Sequence, residues 1–135
     1  MLKQLSSALV LLAFSLSSPL LAQQANWPQN APIKRTPLQK FDVPGTNYES
    51  VVGLAEVAPN MNIGRHTHFG MESGYVLEGE FVLLVEGQPD KPLKVGESYQ
   101  VPPGAIHDAR AGDKGAKVIA TYVVEKGKPF ASPVP

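Results

Sequence analysis

The sequence predicts an all-β domain, either a sandwich or a closed jelly-roll barrel, and three observations carry that reading. Thirteen Pro and twelve Gly in 135 residues are too many for a helical protein of this size, and they are scattered as turn punctuation. Short segments rich in Val, Ile, Tyr and Phe recur between those turns. No helical period of useful length follows residue 22. A closed barrel has the further merit of protecting strand edges.

The length is in the range of one domain, and 43% hydrophobic content is enough to close one apolar core. Twelve basic and twelve acidic side chains leave no net charge, and no basic patch stands out, so nucleic acid is not an expected partner. Cys is absent. That excludes a disulfide framework, a thiol nucleophile and a Cys-based zinc site, and leaves stability to packing.

Three regions follow in order. Residues 1–22 have the layout of a signal peptide: Lys3, an apolar run from Ala8 to Phe14 continuing to Leu21 and Ala22, then polar Gln23 and Gln24. Ser15, Ser17, Ser18 and Pro19 interrupt the apolar stretch, which falls short of the roughly 20 residues of a spanning helix. Cleavage near Ala22, no stable membrane anchor, and a periplasmic or secreted mature protein are therefore expected. No twin-arginine pair precedes the run, which implies export unfolded and metal acquisition outside the cytoplasm. Residues 23–37, broken by Pro28, Pro32 and Pro37, read as a Pro-rich extended arm, and residues 38–135 as the β-barrel domain with a Pro-rich tail.

Within that domain, strands are expected at 38–43, 48–57, 63–68, 74–77, 80–85, 94–102, 106–110 and 117–124. The expected turns lie at Pro44 with Gly45, Pro59 with Asn60, Glu78 with Gly79, Glu86 with Gly87, Pro102 to Gly104, and Gly112 to Gly115. The tail from Gly127 is expected to pack over the barrel or a neighbouring subunit.

Side chains alternate along a strand, so His66 and His68 project to one side and can approach one ion. Glu72 follows four residues on, and His107 follows the bend at Pro102, Pro103 and Gly104. Three imidazoles and one carboxylate suit one divalent transition metal, Mn, Fe, Co, Ni, Cu or Zn, with coordination positions left open. His-x-His alone is more often an exposed or hydrogen-bonded pair. Here the chain's only three His all fall beside suitable partners and bends, which favours the metal site.

These residues resemble the two motifs of the cupin superfamily. The first, Gly, five residues, His-x-His, three or four residues, Glu, six residues, Gly, is met by His66, His68, Glu72 and Gly79. The second, Gly, five residues, Pro-x-Gly, two residues, His, three residues, Asn, is met by Gly96, Pro102, Gly104 and His107. Asn60 replaces the leading Gly and Ala111 the closing Asn, which passes any need for turn flexibility to Gly64 or Gly112. The likeness spans roughly residues 38–124 and is similar to small single-domain bacterial cupins of the type 2, quercetin-dioxygenase-like kind. It implies a jelly-roll barrel, metal ligation by His66, His68, Glu72 and His107, and a small-molecule ligand. Oxygenation is implied ahead of isomerase, lyase or decarboxylase chemistry, and a homodimer is an assembly open to such a fold. With no spare His or Cys as base or nucleophile, any catalysis relies on the metal, on Glu72 as the candidate base, or on a Tyr.

Other residues carry two readings each. Arg65 and Arg110 alternate away from the ligand face and are expected in solvent. Phe69, Met71, Tyr75 and Tyr99 line the cavity mouth or belong to ordinary core. Asp108 is either a surface charge or a partner that orients an imidazole. The functional expectation is an exported metal-binding cupin acting on a small oxygen-bearing molecule. The alternative is a non-catalytic module that binds or senses a small ligand or the metal.

Overall fold

The computed structural model describes residues 33–135. The expected signal segment and most of the expected arm lie outside the described residues. Eight strands, β1 (Ile33–Asp42), β2 (Tyr48–Val57), β3 (His66–Thr67), β4 (Gly70–Val85), β5 (Lys91–Lys94), β6 (Ser98–Val101), β7 (His107–Glu125) and β8 (Ser132–Pro133), form one antiparallel sheet curled into a barrel. The described residues contain no helix.

The long strand β7 is the spine. Its second half pairs with β2, from Tyr48 opposite Glu125 to Val57 opposite Ala116. β4 pairs with it from Gly70 opposite Val124 to Val85 opposite His107, and β3 meets its first residue, His66 opposite His107. β1 covers β2, while β5 and β6 pair with β4.

Alternation along β4 buries Gly70, Glu72, Gly74 and Val76 and exposes Met71, Ser73, Tyr75 and Leu77. The inward phase then changes parity: beyond the irregularities at Val76/Glu78 and Gly79/Phe81, the buried residues are Phe81 and Leu83. β7 makes the matching change, from His107, Ala109 and Ala111 to Ala116, Val118, Ala120, Tyr122 and Val124. Gly79 and Gly115, at φ 73° and 79°, sit at this shared kink, and a Cβ on Gly79 would overlap the Gly115 carbonyl oxygen. The glycines expected to end strands at 78–79 and 112–115 instead bend two continuous strands, and bulges keep apolar residues inside on both sides.

Other boundaries also differ from expectation. The last five residues of the expected arm, Ile33 to Pro37, are the first half of β1, where β2 supplies ladder partners. The strand expected at 63–68 shortens to two residues, because Gly64 turns at φ 100° and its amide goes to the Asp108 carboxylate. The segment 94–102 divides around Gly96, where the Glu97 amide returns to the Lys94 carbonyl at 3.0 Å and the Glu97 carboxylate accepts from the Lys94 amide at 2.7 Å. Asn60, which stands where the motif has glycine, adopts the left-handed conformation at φ 59°, which Asn tolerates better than most residues. Its amide donates to the Gly112 carbonyl, and the Ala111 amide to the Met61 carbonyl, each at 3.0 Å. Gly112 has no positive φ, so Asn60 and Gly64 shape this loop.

The larger core cluster includes Val76, Phe81, Leu83, Leu93, Tyr99 and Val118; a smaller one holds Val51, Ala120, Tyr122 and Val124, with Phe130 against it. Leu93 is 2% exposed and Met71 54%. Leu93→Ala is expected to lose about 2–5 kcal/mol in urea unfolding, and Met71→Ala to stay within about 0.5 kcal/mol of the parent.

Candidate metal centre

The barrel brings His66, His68, Glu72 and His107 together. One possible ligand atom from each lies within 4.8 Å of all the others. The ladder explains the meeting, since His66 on β3 stands opposite His107 on β7 and Glu72 on β4 stands between Tyr122 of β7 and Val101 of β6. Ring centroids are 4.2 Å apart for His66 and His107, 4.9 Å for His66 and His68, and 5.2 Å for His68 and His107. His68, Glu72 and His107 are buried, and His66 is half-buried at the cavity.

Each imidazole is oriented by the backbone. His66 Nδ1 lies 2.7 Å from the Gly64 carbonyl, His68 Nδ1 2.6 Å from that of Phe130, and His107 Nδ1 2.9 Å from that of Ala105. A carbonyl only accepts, so each Nδ1 carries a proton and donates, which leaves Nε2 as the atom available to a ligand. The Gly64 loop is itself held by Asp108, whose carboxylate accepts from the Gly64 amide at 2.8 Å and from Asn62 Nδ2 at 2.8 Å. Asp108 therefore orients an imidazole indirectly, through the loop that carries the carbonyl facing His66.

Glu72 Oε1 accepts from the Tyr99 hydroxyl at 2.7 Å. Oε2 lies 3.2 Å from both His68 Nε2 and His107 Nε2. The His68 contact is close but is not aligned as a hydrogen bond, so this buried Nε2 has no hydrogen-bond partner. A buried imidazole nitrogen without a hydrogen-bond partner, next to a carboxylate oxygen, is a pair of ligand atoms that a cation between them would satisfy. The donor set therefore fits a divalent metal of the borderline class.

The electrostatics agree. Burial pushes the Glu72 carboxyl up, but the His107 and His68 imidazoles and the Tyr99 hydroxyl outweigh it and hold the group well below the usual carboxylate range. Burial lowers His66 to about 4, with the Gly64 hydrogen bond opposing and the other two imidazoles assisting, so this ring is neutral at pH 7. His107 is raised: burial lowers it, and the hydrogen bond and charge of Glu72 more than compensate. Burial, reinforced by the Glu72 charge, raises Tyr99 and Tyr122 well above the phenol range, so both hydroxyls keep their protons.

The cluster opens into a cavity of about 190 Å³ with Ile63, Phe81, Leu83 and Val118 among its walls. Tyr99 belongs to it, and it fits because a Cβ on its ladder partner Gly74 would overlap its ring. Phe69, Met71 and Tyr75 do not; they are 44%, 54% and 44% exposed and lie outside both cavity and core. Arg110 is exposed, and Arg65, at the cavity rim, pairs with Glu86. Arg35, Tyr122 and Phe130 were not singled out from sequence. Arg35 lay in the expected arm and Phe130 in a tail without pattern, whereas Tyr122 shares the inward alternation of Val118 and Ala120 and was legible on that ground. The tail packs on the site itself: β8 pairs with β3, the Phe130 ring meets those of His68 and Tyr122 at 5.3 and 4.6 Å, and the Val134 amide donates to the Arg65 carbonyl at 3.0 Å.

A family model described as "Cupin domain" matches residues 53–124. The chain belongs to the cupin family. Solved structures agree on the fold. An RmlC-like cupin from Shewanella frigidimarina NCIMB 400 is 28% identical, with 73% of this chain and 81% of that chain covered at a TM-score of 0.59. The DMSP lyase DddQ from Ruegeria pomeroyi DSS-3 is 19% identical, covering 83% and 56% at 0.63. An oxalate oxidase in complex with the substrate analogue glycolate is 23% identical, covering 77% and 56% at 0.60. This cupin thus spans little more than half the length of the two enzymes. No curated protein matches it by sequence.

Tyr99→Phe removes the hydroxyl that donates to a buried carboxylate. Urea unfolding of the metal-free protein is expected to show a loss of about 1.5–3 kcal/mol.

Proposed function

We propose that this cupin binds one divalent transition metal, Mn, Fe, Co, Ni, Cu or Zn, through His66, His68, Glu72 and His107 and acts on a small oxygen-bearing molecule in the adjoining cavity. The observation that carries the reading is the set of three Nδ1 atoms committed to backbone carbonyls, which leaves three Nε2 atoms gathered with one buried carboxylate. When bound, the metal would supply Lewis acidity toward an oxygen donor and, for a redox-active ion, one-electron chemistry with dioxygen.

The chain's own residues do the rest. Phe81, Leu83 and Val118 give the cavity an apolar wall, and Tyr99 holds Glu72 ionised. Among the described residues that line the cavity Glu72 is the only carboxylate, so it is also the candidate base. Its depressed pKa requires one of its donors to be displaced before it takes a proton. Oxidation of the bound molecule is the favoured reaction. The oxalate oxidase and the DMSP lyase share only the fold with this chain, so they mark redox and lyase chemistry as two options on the same scaffold.

A second reading, a non-catalytic module that captures a small ligand or the metal, draws on the cavity lining, which among the described residues holds no His outside the metal cluster and no carboxylate besides Glu72. We also propose that residues 1–22 are removed on export, which would make the compartment's metal supply decisive for the ion bound.

The test is oxygen uptake by the exported, fully metallated protein with small phenolic, dicarbonyl and hydroxy-acid compounds, with its N-terminus sequenced from the same sample. Turnover with at least one class, and an N-terminus within a few residues of Gln23, are expected. Ligand binding without turnover would replace the enzyme reading with the binding module, and retention of Met1 would overturn export.

A further inference from the structure

The three imidazoles of the cluster are not oriented in the same way. His66 and His107 each meet a carbonyl two residues back in their own chain segment, Gly64 and Ala105. His68 meets the carbonyl of Phe130, 62 residues further on, in the tail that follows β7. Two rings are therefore set by the strands and loops that carry them, and the third only when the tail lies in place. The nitrogen that this contact leaves to a ligand, His68 Nε2, is the buried atom without a hydrogen-bond partner.

The tail reaches this position through a few separate anchors. After β7 the Lys126 amide donates to the Asn47 carbonyl at 2.9 Å, and the Lys126 amine pairs with Asp42 at 3.0 Å. The chain then turns at Gly127, whose φ of 76° suits glycine. At the far end β8 pairs with β3, His66 opposite Pro133 and Thr67 opposite Ser132, and the Val134 amide reaches the Arg65 carbonyl. β8 is two residues long, and Pro133 has no amide to give to the ladder.

Between these anchors Phe130, Ala131 and Pro133 form one wall of the cavity. The Phe130 ring packs edge-on against His68 and Tyr122, which seats the carbonyl on His68 Nδ1. So short a ladder places the tail at the low end of local stability, where one further interaction changes its docking measurably. A partner that fixes the tautomer and direction of a ligating imidazole also contributes to metal affinity. Coupling of this kind is reciprocal, so a tail that strengthens metal binding is itself held by the metal to the same extent.

We propose that Phe130 is a positioning residue of the metal centre, and that metal binding and docking of residues 127–134 are coupled through His68. The metal-loaded centre then holds the tail wall of the cavity closed. This inference rests on the metal reading above.

The experiment combines zinc titration by calorimetry with hydrogen exchange of the segment 126–135, with and without zinc, using β5 as the reference segment. The parent, Phe130→Ala, Val134→Pro and His68→Ala are compared, with urea unfolding recorded for each. Zinc is expected to slow exchange in the parent tail by about tenfold, and by more than in β5. Phe130→Ala is expected to bind zinc about tenfold more weakly at unchanged stoichiometry. Val134→Pro loses an anchor outside the cavity lining, so its tail is expected to exchange faster than the parent's without zinc and to be slowed again by zinc. That variant and the parent keep the test decisive if Phe130→Ala does not fold. Zinc affinity equal to the parent in folded Phe130→Ala would overturn the assignment, as would zinc binding that leaves tail exchange unchanged in the parent and in Val134→Pro. Zinc binding that is lost in His68→Ala yet indifferent to the tail refutes the coupling alone. A parent that binds no zinc refutes the metal reading and the coupling with it.

Discussion

Glu72 places an ionised carboxylate inside an apolar barrel, where a charge is stable only when it is paired and hydrogen-bonded. Much of the surrounding structure meets that requirement. Tyr99 reaches Oε1 from β6, and its ring has room because the facing residue on β4 is Gly74. His68 and His107 approach Oε2 from opposite sides of the chain, each held by a carbonyl of a different loop. The same arrangement leaves His68 Nε2 without a hydrogen-bond partner, and a cation is the simplest group that satisfies the nitrogen and the carboxylate together.

The second constraint is geometric. A strand with strict alternation would carry its inward residues straight through the barrel, but β4 and β7 change parity together at the Gly79 and Gly115 kink. Before the kink β4 presents Glu72 and Gly74, and after it Phe81 and Leu83. The charged centre and the apolar wall therefore come from one strand, and the cavity lies between them. The tail then closes over this end of the barrel, since Phe130 supplies both a carbonyl to His68 and a ring against Tyr122.

Much of this was legible in the sequence. Turn residues between β-rich segments gave the fold class, and the spacing of His66, His68, Glu72 and His107 gave the cluster that the barrel assembles. The departures arose where a residue's local preference was overruled by pairing. Glycines at 79 and 115 read as strand ends because positive φ serves turns and bulges equally, and only the ladder distinguishes them. Pro37 argued for an arm, yet an edge strand tolerates proline, and this assignment concealed Arg35. Asn60 looked like a loss of the motif glycine, but it occupies the left-handed region that glycine favours. Phe130 had no periodic signal because its role depends on contacts with residues 62 positions away.

The central claim is that the four side chains hold a metal, and its most direct test is elemental mass spectrometry of the protein purified from its native source without added metal, beside His68→Ala prepared identically. About one equivalent of a first-row divalent metal in the parent and little in the variant is the predicted result. No metal in either protein, or equal metal in both, would contradict the account.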